Sequence, residues 1–225
     1  KRVRDAMNQI TTYSYDEQGG HIETLDANNN RTKMEYDKMG RRTRKTLADG
    51  RFEAWTYDLA GNQKTHRNLE GRVTTFDYDD LLRMTAMIPD STTSEARIEF
   101  TYTATSRRAT MRDGHGLTEY SYDDRDRVTE KRTPHGTIAF TWDENSNLKT
   151  IESNRGYRVT YKYDALNRLI EVDDQAMGKT TYEWDFVGNL KKVMTPNGVA
   201  ADYAYDQLNR VRRITYAGGG TLEDF

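Results

Sequence analysis

Aspartate is the residue in this chain whose spacing first suggests chemistry. Asp16, Asp37, Asp58, Asp79, Asp123, Asp143, Asp164, Asp185 and Asp206 recur at near-constant intervals. A regular acidic array of this kind can be read as a set of calcium ligands. Within it, Asp143-Glu144-Asn145-Ser146-Asn147 resembles the start of a calcium-binding loop. That loop needs glycine at its sixth position and glutamate at its twelfth, where Leu148 and Asn154 stand, so the match fails. The four histidines, His21, His66, His115 and His135, are spread over separate stretches, and His115 and His135 fall at the same turn position. This reads as surface turns rather than as zinc ligands or an acid–base pair. With no cysteine there is neither a disulfide nor a thiolate metal site. No Gly-x-Ser-x-Gly, phosphate loop or dinucleotide fingerprint occurs. The residues therefore point to no catalytic, cofactor or metal site, and the reading is non-enzymatic.

What remains is the regularity itself. Each aspartate follows an aromatic residue: Tyr15, Tyr36, Tyr57, Tyr78, Tyr122, Trp142, Tyr163, Trp184 and Tyr205, with Tyr102 followed by Thr103 in one variant copy. The steps are 21, 21, 21, 24, 20, 20, 21, 21 and 21 residues, so ten copies form one repeat array. The longer step holds Pro89-Asp90-Ser91-Thr92-Thr93-Ser94, read as an extended surface loop. A hydrophobic content of 35% would suit a disordered chain. The aromatics oppose that, because 19 of the 24 fall at two positions of the repeat.

The second position lies two residues before each anchor: Tyr13, Met34, Trp55, Phe76, Phe100, Tyr120, Phe140, Tyr161, Tyr182 and Tyr203. A mostly polar residue separates the pair, which is the period-two signature of a strand with one packed face. The rings are expected to meet across neighbouring strands, with tyrosine hydroxyls reaching water or a partner. Asp then opens a turn by accepting a backbone N–H about two residues on. Gly19, Gly40, Gly61 and Gly188, three residues after Asp, supply positive φ, and Asn167 and Asn209 are the next best there. Leu82, Ser106, Asp126 and Ser146 fit that position less well. A second strand follows, with Leu148/Ile151, Leu169/Val172, Leu190/Val193 and Val211/Ile214; a separation of three implies a bulge. Asp49-Gly50, Glu70-Gly71, Pro134-His135-Gly136 and Pro196-Asn197-Gly198 close each repeat with a second turn, and all three prolines fall outside the strands.

The fold expected is all-β: ten repeats of ~21 residues, each a two-stranded antiparallel hairpin, or roughly twenty strands. So many strands are expected to curl into a spiral, with an aromatic-rich face inward. Residues 1–225 read as a single array. Val3 takes the place of Val172, Val193 and Ile214, and the sequence stops just before an eleventh anchor, so it reads as a piece of a longer array. Net charge is −2 with acids and bases interleaved, and basic pairs such as Arg107-Arg108 read as a solvated face, which argues against nucleic acid. No apolar run has membrane-spanning length.

Tyr57-Asp58-Leu59-Ala60-Gly61-Asn62, followed by Gly71 and Tyr78, resembles the signature of the YD-repeat, or Rhs-repeat, family, and ten in-register copies carry the resemblance across the chain. It implies a spiral β-sheet shell. In bacterial Rhs and toxin-complex proteins such a shell encloses a C-terminal toxin domain, as in polymorphic toxins; in teneurins a similar shell supports cell adhesion. The expected partners are the rest of the parent shell and its enclosed domain, and the expected location is secreted or cell-surface. The family's aspartyl self-cleavage segment has no match here, so that activity is carried to no residue. The competing reading is a carbohydrate-binding or adhesion module whose rings stack on sugars. Unpaired edge strands would also favour edge-to-edge self-association.

Overall fold

The computed structural model describes residues 1–217 and the backbone of residues 221–223. It is all-β. The first strand of each repeat ends on its anchor ring: Ile10–Tyr15, Arg31–Tyr36, Phe52–Tyr57, Val73–Tyr78, Ile98–Tyr102, Gly116–Tyr122, Gly136–Trp142, Arg158–Tyr163, Gly178–Trp184 and Ala200–Tyr205. The second strands are His21–Leu25, Arg42–Thr46, Gln63–Arg67, Met84–Ile88, Arg108–Asp113, Val128–Thr133, Leu148–Ser153, Leu169–Asp174, Leu190–Met194 and Val211–Tyr216. Arg2–Arg4 and Thr221–Glu223 flank the ten hairpins. No helix among the described residues is long and apolar enough to cross a membrane.

The chain divides into two compact units, Lys1–Leu117 and Thr118–Phe225. Within each, strands pair antiparallel with their sequence neighbours, as in Phe52–Tyr57 with Gln63–Arg67 and then Val73–Tyr78. Each unit is thus an open meander, and the curl expected of the full array is not seen at this scale. About ten strands is what an open sheet carries without curling.

The expected bulge is present. In the repeat around Trp142, Phe140 faces Ile151, Thr141 faces Thr150, and Trp142 faces Leu148, so Lys149 is the extra residue. Leu148 and Ile151 both reach the aromatic face because one residue between them is unpaired. The same shift occurs beside Tyr36, Tyr57, Tyr78, Trp184 and Tyr205. On the opposite face, threonine pairs fasten the hairpins: Thr56–Thr65 at 2.6 Å, Thr101–Thr110 at 2.7 Å and Thr141–Thr150 at 2.6 Å.

Most turns of the array use one geometry, an exception being the two-residue loop at Pro134-His135, where Thr133 pairs with Gly136. At Asp79 the N–H of Leu82 donates to the Asp79 carbonyl and the Asp79 N–H to the Arg83 carbonyl; Leu47, Gly50 and Arg51 repeat this in a second turn. This is a type I turn closed by a left-handed residue. Asp49-Gly50 is therefore the end of a three-residue loop rather than a two-residue hairpin. The left-handed position is obligatory, since Leu82 (φ 60°), Ser106 (64°), Asp126 (57°) and Ser146 (69°) adopt it despite their side chains. The longer loop at Pro89 is tied down by Asp90, whose carboxylate accepts the Val73 N–H at 2.7 Å.

Little of the sheet is interior. Among the described residues the buried apolar ones are Ala86, Val159, Ala200 and Ala201, and no large side chain is fully buried. Aromatic and aliphatic side chains are half-buried by their neighbours in the same layer rather than by a second layer.

The left-handed position gives a stability test. Gly40 has φ +75° and open space around an added Cβ, so Gly40→Ala isolates backbone strain and should cost about 1 kcal/mol. Leu82→Gly should instead stabilise, by up to ~1 kcal/mol after the entropy of a freer unfolded chain. Urea denaturation of both variants checks the opposite signs.

Candidate functional site

The features that repeat with function-like consistency are the anchor ring and the aspartate turn beside it. All nine aspartates accept the N–H of the residue four positions on, as in Gly20 to Asp16 (2.6 Å), Arg41 to Asp37 (3.0 Å) and Asn62 to Asp58 (2.8 Å). The rest follow suit: Arg83 to Asp79, Arg127 to Asp123, Asn147 to Asp143, Arg168 to Asp164, Asn189 to Asp185 and Arg210 to Asp206. In most, the same Oδ1 also accepts the N–H two residues on, for example Leu81 to Asp79 at 3.0 Å. Thr103 keeps the turn of the variant copy with its hydroxyl, which accepts the Arg107 N–H at 3.1 Å.

The second carboxylate oxygen has a partner that reading the sequence alone misses. It is the side chain four residues after Asp. Arg41, Arg83, Arg127, Arg168 and Arg210 each reach their aspartate's Oδ2 at 2.6–2.7 Å. Asn62, Asn147 and Asn189 donate to it through Nδ2 at 2.9–3.0 Å. The signal is a column of Arg or Asn at that position in every copy except the one holding Gly20. These bonds hold the carboxyls of Asp79 and Asp164 below the usual range, through Arg83 and Arg168 first and the backbone N–H groups after them. Asn62 and Asn147 do the same for Asp58 and Asp143. Asp90 is lowered to about 2 by Thr92 and by the Val73 N–H.

The arginines also link one repeat to the next. Four of the five lie over the following anchor ring: Arg41 over Tyr57 (4.4 Å), Arg83 over Tyr102 (4.6 Å), Arg127 over Trp142 (5.7 Å) and Arg168 over Trp184 (5.8 Å). Arg83 Nη1 donates to Ser106 Oγ, Arg127 Nη1 to the Asp143 carbonyl, and Arg168 Nη1 to the Asp185 carbonyl.

Anchor rings bond backward. The hydroxyls of Tyr36, Tyr57, Tyr78, Tyr102 and Tyr205 donate to the carbonyls of His21, Arg42, Gln63, Met84 and Leu190 at 2.6–2.9 Å. The indole N–H groups of Trp142 and Trp184 donate to the carbonyls of Val128 and Leu169 at 2.8 Å. In each case the acceptor lies opposite the preceding anchor, where the ladder between repeats has run out. Between Gln63–Arg67 and Val73–Tyr78, for example, it ends at Thr65–Thr75. The ring fills the fork, and its donor satisfies a carbonyl that has lost its strand partner. Hydroxyls expected to reach water or a partner are thus engaged internally. Burial raises the pKa of Tyr78, Tyr163 and Tyr205. Tyr15 is more exposed, its ring tilted against His21 at 5.5 Å, and Tyr122 faces Val128.

Successive rings do not touch as the alternation suggested, because a second strand stands between them. The ring pairs found among the described residues all involve histidine: Tyr13–His21, Tyr15–His21 and Trp55–His66. Trp55 is covered on both faces, by His66 stacked at 5.2 Å and by Arg42 at 4.4 Å from the neighbouring strand on the other side. His115 and His135 lie exposed at turns. Among the described residues no group of three or more His, Asp or Glu is placed to hold a metal.

The lowered carboxyls set an acid response. A carboxyl whose folded pKa is depressed contributes fully above its unfolded value, about 3.9, and the contribution is lost as pH falls through the folded value. The melting temperature should be level from pH 7 to about 5, then fall steadily toward pH 2. Thermal melts across that range check it, and a level profile down to pH 2 would contradict these assignments.

Two stretches, residues 142–176 and 187–221, match the RHS Repeat family model. No curated protein matches in sequence. Among solved structures, the chain resembles a crystal structure of TcdB2-TccC3 at 14% identity and a TM-score of 0.75, covering 98% of this chain and 14% of that one. A TcdB2-TccC3-Cdc42 crystal structure matches at 14% identity and 0.74, covering 92% and 13%. A Photorhabdus luminescens Tc holotoxin pore matches at 16% and 0.61, covering 94% and 13%. This chain spans about one seventh of those chains, and at such identity the likeness is one of fold. Residues 142–176 and 187–221 are thus similar to RHS repeats, and the same bulge beside the anchor ring recurs outside them, at Tyr36, Tyr57 and Tyr78.

Proposed function

We propose that residues 1–225 are a single, non-catalytic stretch of a longer YD-repeat wall that encloses or displays a toxin or effector domain of a larger secreted or surface bacterial protein. The observation that carries this reading is a uniform hairpin lattice with almost no buried core. A layer built this way spends its side chains on holding strands together and leaves both faces accessible, which suits a wall. The folds it resembles come from TcdB2-TccC3 assemblies and a Tc holotoxin pore, in keeping with a toxin-associated shell. The partners are then the remaining shell and its enclosed domain. Terminal strands would continue the array or pair edge to edge with a second copy.

A carbohydrate-binding or adhesion role is the alternative. Its natural platform, Trp55, is closed by His66 and Arg42, so a sugar would have to displace both. No observation favours this role over the wall.

Electron microscopy of the full-length parent tests the proposal. The expected result is a hollow particle with internal density that disappears when the enclosed domain is deleted. A compact particle without a hollow would contradict it.

A further inference from the structure

The turn at Asp16 breaks the lattice in one respect. Gly20 stands where every other copy has Arg or Asn, so the turn supplies no side chain for the Asp16 Oδ2. The rest of the receptor is intact. Tyr36 ends the first strand of the next repeat with its hydroxyl bound to the His21 carbonyl at 2.9 Å, and among the described residues no cation lies over its ring. The Asp37 carbonyl occupies the position that accepts an arginine Nη1 at Asp143 and Asp185. Between the two turns lies a notch of about 600 Å³ lined by Asp16, Gly20, Tyr36, Asp37 and Lys38.

Elsewhere in the chain the same three elements together hold a guanidinium. Arg127 binds Asp123 Oδ2 at 2.7 Å, lies over Trp142 and donates to the Asp143 carbonyl at 3.0 Å. Arg168 does the same with Asp164, Trp184 and the Asp185 carbonyl. Arg41 and Arg83 bind their aspartates and cover Tyr57 and Tyr102. At Gly20 the missing Cβ has let the Asp16 carboxylate move inward, to within 2.6 Å of where that Cβ would stand. The chain therefore presents a carboxylate, a ring face and a carbonyl in the order that its own arginines occupy, with the arginine removed.

We propose that this notch is a receptor for a guanidinium group, filled by an arginine side chain that a partner segment supplies. A planar guanidinium can bond the carboxylate, stack on Tyr36 and donate to the Asp37 carbonyl at once. An ammonium can meet only part of that set, so the site discriminates arginine from lysine. Lys38 also lines the notch, but its ammonium cannot reproduce the planar stack.

The test is an NMR titration of the full chain, following the Gly20 amide and the Tyr36 ring. Methylguanidinium and N-acetyl-arginine amide, the free-ion and peptide-like sources, should both saturate these signals in the millimolar range. Methylammonium at equal ionic strength should bind at least tenfold more weakly. Asp16→Asn keeps an acceptor for the turn, as Asn68 does in a second turn, but should weaken binding at least tenfold. Gly20→Arg should fill the notch from within, abolishing the response and raising the melting temperature by a few degrees. Equal shifts with methylammonium, or a response unchanged in both variants, would overturn the proposal.

Discussion

The hydrogen bonds that Tyr36, Tyr57, Tyr78, Tyr102, Trp142, Trp184 and Tyr205 donate to a carbonyl of the preceding repeat are the interaction on which this structure rests. A single-layer sheet has no second layer to bury its apolar side against, so cohesion must come from contacts within the layer. Strands within a hairpin are joined by a ladder of four or five paired residues; strands of adjacent repeats have two to four. Where that shorter ladder ends, a donor-bearing ring closes the gap. This explains why Tyr and Trp interchange at the anchor, as at Trp142 and Trp184, although their shapes differ. It also explains why none of the six phenylalanines stands there, while Phe76, Phe100 and Phe140 are accepted two residues earlier, where no donor is needed.

The turn supplies the rest of the coupling. One aspartate oxygen organises the backbone of its own turn, and the other orients a side chain toward the next repeat. A guanidinium held this way bonds its aspartate and covers the next ring, so the turn of one copy positions the ring of another. Exposed ion pairs contribute little one at a time. Here the arginines of three pairs, Arg83, Arg127 and Arg168, are hydrogen-bonded on both sides, and the pair recurs along the array. Stability in such an array is carried by nearest-neighbour terms.

Much of this is legible in the sequence. The period, the two-residue alternation and the glycines after Asp point to strands, turns and bulge, because each follows from local backbone geometry. Two features are less visible for physical reasons. Leu82 and Ser146 do not look like left-handed residues, since the hairpin imposes that conformation whatever side chain is present. The bond from Tyr78 to the Gln63 carbonyl joins residues fifteen apart across a fork, and no local pattern announces it. Its trace is the absence of Phe at the anchor. The Arg/Asn column four residues after Asp is equally readable. It escapes notice because basic residues in a strand-rich chain read first as a solvated face.

Replacing Trp184 with its benzothiophene analogue keeps the ring and deletes only the N–H that binds the Leu169 carbonyl. If the donor holds adjacent repeats together, denaturation should show a loss of about 1 kcal/mol, with faster hydrogen exchange in Leu169–Asp174 and Gly178–Trp184. Unchanged stability and exchange would mean that the ring acts by shape alone and that its hydrogen bond does not join the repeats.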